Sequence, residues 1–226
     1  MAEQPGIAQL YLEAHRSFDE FARPLGEPDW ATPTPCTPAW TARDVLSHVA
    51  GVPDDGLAGR IDGAATEPWT ASQVERNAAF AVAELLDRWA TQAAPFAQAI
   101  EAIGETRPPF DCHSHEHDLR QALNIPGNRE NEIVEASGLE LVDAEGLQGP
   151  VTVELVDGRT FVSGNGAGRG VVTVRGLTMF ELFRSRLGRR SREQVLAYDW
   201  AGDAGDIERV VDRWFRFGPS ALPIDE

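Results

Sequence analysis

The spacing of apolar positions changes character partway along the chain. Ile7, Leu10, Tyr11, Ala14, Phe18 and Phe21 recur three and four residues apart, which predicts an amphipathic first helix. Residues 24–40, PLGEPDWATPTPCTPAW, hold five prolines and predict a surface loop. Thr41 with Asp44 has the form of a capping box, with Asp in place of the usual Glu. A second helix is expected through DVLSHVA, stopping near Gly51 and Pro53. Thr70 with Gln73 makes a second capping-box pattern. From there SQVERNAAFAVAELLDRWATQAAPFAQAI predicts one long third helix, kinked at Pro95. Pro109 suits a first helical position and opens a fourth helix through FDCHSHEHDLRQALN, which Asn124 ends.

Beyond residue 131 the period shortens. GLELVD, GPVTVELVD and RTFVSG alternate or run apolar in short stretches, and Asp157-Gly158 is a strong hairpin signal. GVVTVRG adds a strand. LTMFELFRSRL then predicts a helix ended by Gly188, Ser191 with Gln194 caps a short one, and ERVVDRWFRF predicts the last. SGNGAGRG joins two predicted strands and lacks the spacing of a phosphate-binding loop, so it reads as a flexible hairpin connection. The expected fold is α+β: a four-helix bundle over 1–131, followed by a smaller α/β domain over 132–226.

Composition narrows the function. The 226 residues are 42% hydrophobic and 25% charged, as an ordinary globular chain is. Twenty basic residues against 36 acidic ones give a net charge of -16, which repels phosphate backbones and anionic lipid; no nucleic-acid or membrane partner is expected. Lysine is absent, which removes Schiff-base chemistry and the P-loop lysine. Two cysteines, Cys36 and Cys112, make a disulfide framework improbable, and both read as packing residues. The N-terminal residues lack the pattern of a secretory leader, and a cytoplasmic location is expected.

Four of the five histidines fall in two places: His48, and the run His113, His115, His117. On a helix, residues four apart share a face and residues two apart do not. Asp111 therefore pairs with His115, and His113 with His117. Either pair can chelate a metal, and a solvated incidental cluster is the bland alternative. Asp111 and His115 offer a carboxylate oxygen and an imidazole nitrogen, both ordinary zinc ligands, and Asp118 stands where it can accept from His115. Were a bundle to bring His48 opposite them, two histidines and one carboxylate would leave a coordination position open, the mark of a catalytic centre. His113-Ser114-His115-Glu116-His117 also matches H-x-x-E-H, a zinc-hydrolase pattern in which His113 and His117 bind and Glu116 acts as base.

Three segments carry a family resemblance. TPCTPAWTARDVLSHVAG, DCHSHEHDLRQALNIPGNR and MFELFRSRLGRRSREQVLAYDWAGD, in that order, resemble the mycothiol-dependent maleylpyruvate isomerase family, an actinobacterial branch of the DinB-like metalloproteins. The resemblance implies a DinB-like four-helix bundle with a distinct C-terminal domain. It implies His48, Asp111 and His115 as ligands of a divalent metal; zinc suits those ligand types. Asp111 stands where the best-known isomerases carry Glu. The resemblance further implies mycothiol or a similar thiol as cosubstrate and an isomerase or S-transferase acting on small electrophiles, such as maleylpyruvate-like dicarboxylates. A dicarboxylate calls for guanidinium groups, and Arg189 and Arg190 are the candidates. A non-catalytic bundle that binds a metal or ligand is the alternative.

Overall fold

The structure is a computed structural model that describes residues 5–143, 151–163 and 172–226. The chain divides into two units, Met1–Gly127 and Asn128–Glu226. Residues 128–131 lead into and cap the helix that follows. Asn131 accepts from the backbone N–H groups of Ile133 and Val134, at 3.0 and 2.9 Å, and its amide donates back to Asn128 O.

Four long helices build the first unit: α1 (Ile7–Ala22), α3 (Ala42–Leu57), α5 (Val82–Ile103) and α6 (Arg107–Ala122). Two shorter ones, α2 (Glu27–Trp30) and α4 (Glu67–Asn77), complete it. α1 packs on α5 and α6, and α3 packs on α5 and α6, which closes a four-helix bundle; α4 lies against α3. The apolar stripe of α1 supplies Leu10, Tyr11, Ala14, Phe18 and Phe21 to the interior. Trp89 of α5 is fully buried, and its indole N–H donates to Tyr11 Oη at 2.9 Å, so two bulky aromatics enter the core with their polar atoms satisfied.

Three sequence expectations shift here. α3 does not stop at Gly51 or Pro53 but continues to Leu57. A proline removes one intrahelical bond; packing holds the extra turn, since α4 crosses at Gly51 and the Phe96 ring of α5 lies against Gly56. The long third helix is two helices, broken at 78–81. Its first half begins at Glu67, with Thr66 preceding it, so Thr70 sits inside the helix and donates to Glu67 O rather than capping. The proline-rich loop is tied down: Trp30 is buried in α2, and Thr34 accepts from and donates to its own turn up to Trp40.

The second unit is a mixed sheet with helices. α7 (Glu132–Asp143) precedes β1 (Val151–Leu155), β2 (Thr160–Ser163) and β3 (Val172–Leu177). Then come α8 (Met179–Arg186), α9 (Arg192–Leu196), β4 (Asp199–Ala201) and α10 (Ala204–Val211). The strand order is β2-β1-β3-β4, with β1 antiparallel to β2, parallel to β3, and β3 antiparallel to β4. Val151, Val153, Leu155, Val172 and Val174 are buried, the period-2 pattern of a sheet covered on one face. Gly158 turns the expected hairpin at φ +87, and Gly188 ends α8 at φ +83. Residues 138–143, read as a strand, belong to α7, and the last helix is α10, earlier than ERVVDRWFRF suggested. β4 was not foreseen. All of SGNGAGRG after Ser163 lies outside the described residues. The architecture is α+β, and no helix among the described residues is long and apolar enough to cross a membrane.

Candidate metal centre

The site begins with a well-made helix start. Thr41 Oγ1 accepts from Asp44 N, and Asp44 Oδ2 accepts from Thr41 N at 2.9 Å, a reciprocal cap that sets the phase of α3. From that start Val45, Leu46 and Val49 enter the core and His48 is carried to its edge, nearly buried. On α6, Pro108 and Pro109 occupy the first turn, where a missing N–H costs nothing. Asp111 and His115 follow one helical turn apart.

Packing of α3 on α6 brings the three side chains together. His48 Nε2 lies 3.4 Å from Asp111 Oδ2, and His115 Nε2 lies 3.5 Å from Asp111 Oδ1. One ligand atom from each of the three falls within 4.8 Å of the others. Tetrahedral bonds of roughly 2.1 Å hold neighbouring ligand atoms about 3.4 Å apart, and the two histidine contacts, each to a different Asp111 oxygen, are of that order, so the group could hold a metal ion. The chemistry of the donors fits as well. His115 Nδ1 is 2.9 Å from Asp118 Oδ2, a neighbour that favours a proton on that nitrogen and a lone pair on Nε2, which lies toward Asp111. Burial pushes the His115 imidazole below its ordinary value, outweighing the pull of Asp111 and Asp118, and keeps it neutral. Lone pairs and carboxylate oxygens facing one another at this distance repel unless a cation or a proton lies between them.

The centre is closed on the helix side and reached from the other. The Asp111 side chain is 39% exposed, against 5% and 6% for the two imidazoles. Two half-buried tryptophans flank it. The Trp40 ring centroid is 5.4 Å from that of His48 and 6.3 Å from that of His115, and Trp69 stands 6.2 Å from His48. Trp69 is fixed by its indole N–H, which donates to Arg60 O at 2.9 Å.

The other candidates fall elsewhere. His113, Glu116 and His117 occupy a different face of α6, all sealed in the core. The rings of His113 and His117 meet edge to face, and Glu116 Oε1 accepts from Arg120 Nε at 2.7 Å. Among the described residues, the one grouping of three metal-ligating side chains is His48, Asp111 and His115, and no third such ligand joins His113 and His117. Cys112 is buried, and burial beside Glu116 and Asp111 raises its thiol well above the usual range, which removes it as a nucleophile. Cys36 is half-buried in the proline-rich loop. In the second unit, Arg190 is almost fully buried and ion-paired to Glu181 at 2.6 Å and Glu226 at 3.1 Å, while Arg189 is half-buried and donates to Leu187 O.

One neighbour escaped the sequence reading. Gln73, fully buried on α4, bonds His48 Nδ1 at 2.7 Å. Its capping-box spacing from Thr70 disguises it, and the polar stretch around it, Ser72, Glu75, Arg76 and Asn77, gives no signal that it faces inward.

Residues 11–120 match the family model described as mycothiol maleylpyruvate isomerase N-terminal domain, a span that contains all three candidate ligands. No curated protein and no solved structure matches the chain. A four-helix bundle, a His-Asp-His cluster on two of its helices and this match agree: the N-terminal unit is similar to the mycothiol maleylpyruvate isomerase N-terminal domain family.

Proposed function

We propose that this protein is a zinc-dependent enzyme that uses mycothiol, or a similar small thiol, to isomerise or S-alkylate a small electrophile. The observation that carries the reading is the convergence of His48 Nε2, Asp111 and His115 Nε2 at a partly exposed point of the bundle. Three protein ligands suit a catalytic rather than a structural zinc. His48, Asp111 and His115 would hold the metal, which when bound supplies the positive charge that makes a thiol a thiolate at neutral pH.

The chain's own residues supply the rest. His115 stays neutral through burial and is oriented by Asp118, so it offers a lone pair over the working pH range. Asp111 adds one negative charge, which leaves the centre a net positive charge toward an incoming sulfur once a divalent ion is bound. Trp40 and Trp69 give the approach flat apolar walls, which exclude water from the reacting sulfur and pack against the carbon skeleton of an electrophile.

The test is elemental analysis of the purified protein, followed by thiol titration of the cobalt-loaded form. One equivalent of metal and a sulfur-to-cobalt charge-transfer band on adding mycothiol are expected, together with mycothiol-dependent turnover of maleylpyruvate. A loaded protein whose spectrum ignores thiols would leave a metal-binding protein that is not this enzyme.

A further inference from the structure

We infer that Gln73, oriented by the buried carboxylate of Asp55, is a positioning residue that holds His48 in the tautomer whose Nε2 can ligate a cation; this rests on the metal-centre reading above.

The inference follows from donor and acceptor bookkeeping along one buried chain of contacts. Asp55, in the last turn of α3, is fully buried. Its Oδ1 accepts from Arg60 Nε at 2.7 Å and from Arg76 Nη2 at 2.5 Å. A carboxylate paired with two guanidiniums is acceptor-only. Its other oxygen, Oδ2, faces the Gln73 amide at 2.9 Å, so the amide must turn its NH2 toward Asp55. That leaves the amide oxygen facing His48 Nδ1 at 2.7 Å. An amide oxygen only accepts, so His48 Nδ1 carries the proton. In a neutral imidazole the remaining nitrogen, Nε2, then holds a lone pair, and Nε2 is the atom that faces Asp111. Each link removes one of two choices. Without Asp55 the amide can flip; without Gln73 the ring can take either tautomer.

The fold makes room for this chain. A Cβ on Gly51 would lie 2.8 Å from Gln73 Cβ and 2.9 Å from its Cγ, so only glycine lets α4 come close enough for Gln73 to reach His48. One turn further along α4, Asn77 Nδ2 donates to Ser47 O at 2.7 Å. Arg43 of α3 bonds the carbonyls that follow α4, Ala78 O at 3.0 Å and Phe80 O at 2.6 Å. The register of α4 on α3 is thus pinned just beyond the Gln73 contact, toward the C-terminal end of α4. The arrangement parallels the Asp118 contact to His115, but with the carboxylate one residue further out.

The test reads the tautomer directly, in the metal-free full chain with 15N-labelled histidine, by long-range proton–nitrogen correlation. His48 in the native sequence is expected as Nδ1–H with an unprotonated Nε2. Gln73→Leu is expected to populate the other tautomer and to weaken cobalt(II) binding roughly 10- to 100-fold, with helix content by circular dichroism unchanged. Asp55→Asn, which preserves shape, frees the amide to flip and is expected to shift the tautomer in the same direction by less. Gln73→Glu keeps an acceptor opposite Nδ1 and is expected to retain the native tautomer. An Nε2–H tautomer in the native chain overturns the inference, as does a tautomer indifferent to both Gln73→Leu and Asp55→Asn. Failure of the native chain to bind cobalt while the tautomer responds as described would instead remove the metal-centre reading.

Discussion

Two helices, one in each unit, bury unusual amounts of polarity, and they dispose of it differently. α6 buries His113, His115, Glu116, His117 and Asp118. α8 buries Arg184 and Arg186, and Arg190 follows in the loop after it. Around α8 donors meet acceptors. Arg184 bonds Glu226 at 2.5 Å, Arg190 bonds Glu181 and Glu226, and Arg186 donates to Leu141 O at 3.1 Å and to Trp214 O. Burial lowers Arg186 to about 10, yet it stays cationic at neutral pH and spends its charge on carbonyls. At the Asp111–His115 end of α6, acceptors meet acceptors: two imidazole lone pairs and a carboxylate face one another. Buried polarity alone therefore says little about function. A set of acceptors gathered at a partly exposed point, which an added cation would balance, says more.

The sharpest way to separate the two helices is to cut each. Arg184→Met leaves Glu226, 3% exposed, short of its principal cation, and should cost about 3–5 kcal/mol in urea unfolding while leaving metal content unchanged. His115→Ala should do the reverse. Losing a ligand exceeds losing a ligand's outer partner, so cobalt(II) affinity should fall more than about a hundredfold by titration, with little change in the urea midpoint. If both variants lose metal and stability together, the distinction between a closed polar network and an open ligand set is wrong.

The smallest expected effect concerns the other side of the bundle. His15 packs edge to face on Trp89 at 4.6 Å, its Nε2 buried, and burial lowers it from the ordinary 6.5. Its neutral form is favoured by folding. The stability this contributes is complete above about pH 6.5, falls as the unfolded chain takes up a proton below that, and levels off once the folded pKa is passed. His15→Phe should flatten the stability profile between pH 6.5 and 5 by less than about 1 kcal/mol, measured by urea midpoints across that range.

What could be read from the sequence tracks how local each cause is. The Asp111–His115 pairing needs only the 3.6-residue period, and Asp118 needs the same period and one more turn. His48 stood out as a polar residue on an apolar face, but its partners come from α6, and no spacing rule links residue 48 to residue 111. Gln73 was misread because Thr70-x-x-Gln73 imitates a helix start, whereas the actual start at Glu67 is set by the preceding turn, with Thr66 N donating to Gly63 O. GLELVD alternates like a strand, and only the Asn131 cap shows that a helix has already begun. Arg190 invites a substrate role because no short-range rule pairs it with Glu181, nine residues back, or with Glu226, 36 residues on.

The two indoles beside His48 make the protein its own optical gauge. A paramagnetic or heavy divalent ion arriving among His48, Asp111 and His115 comes within quenching range of Trp40 and Trp69, two of the chain's six tryptophans. Loading can then be followed by dimming of the intrinsic emission, in real time and without a label, and Trp40→Phe and Trp69→Phe would show which lamp goes out.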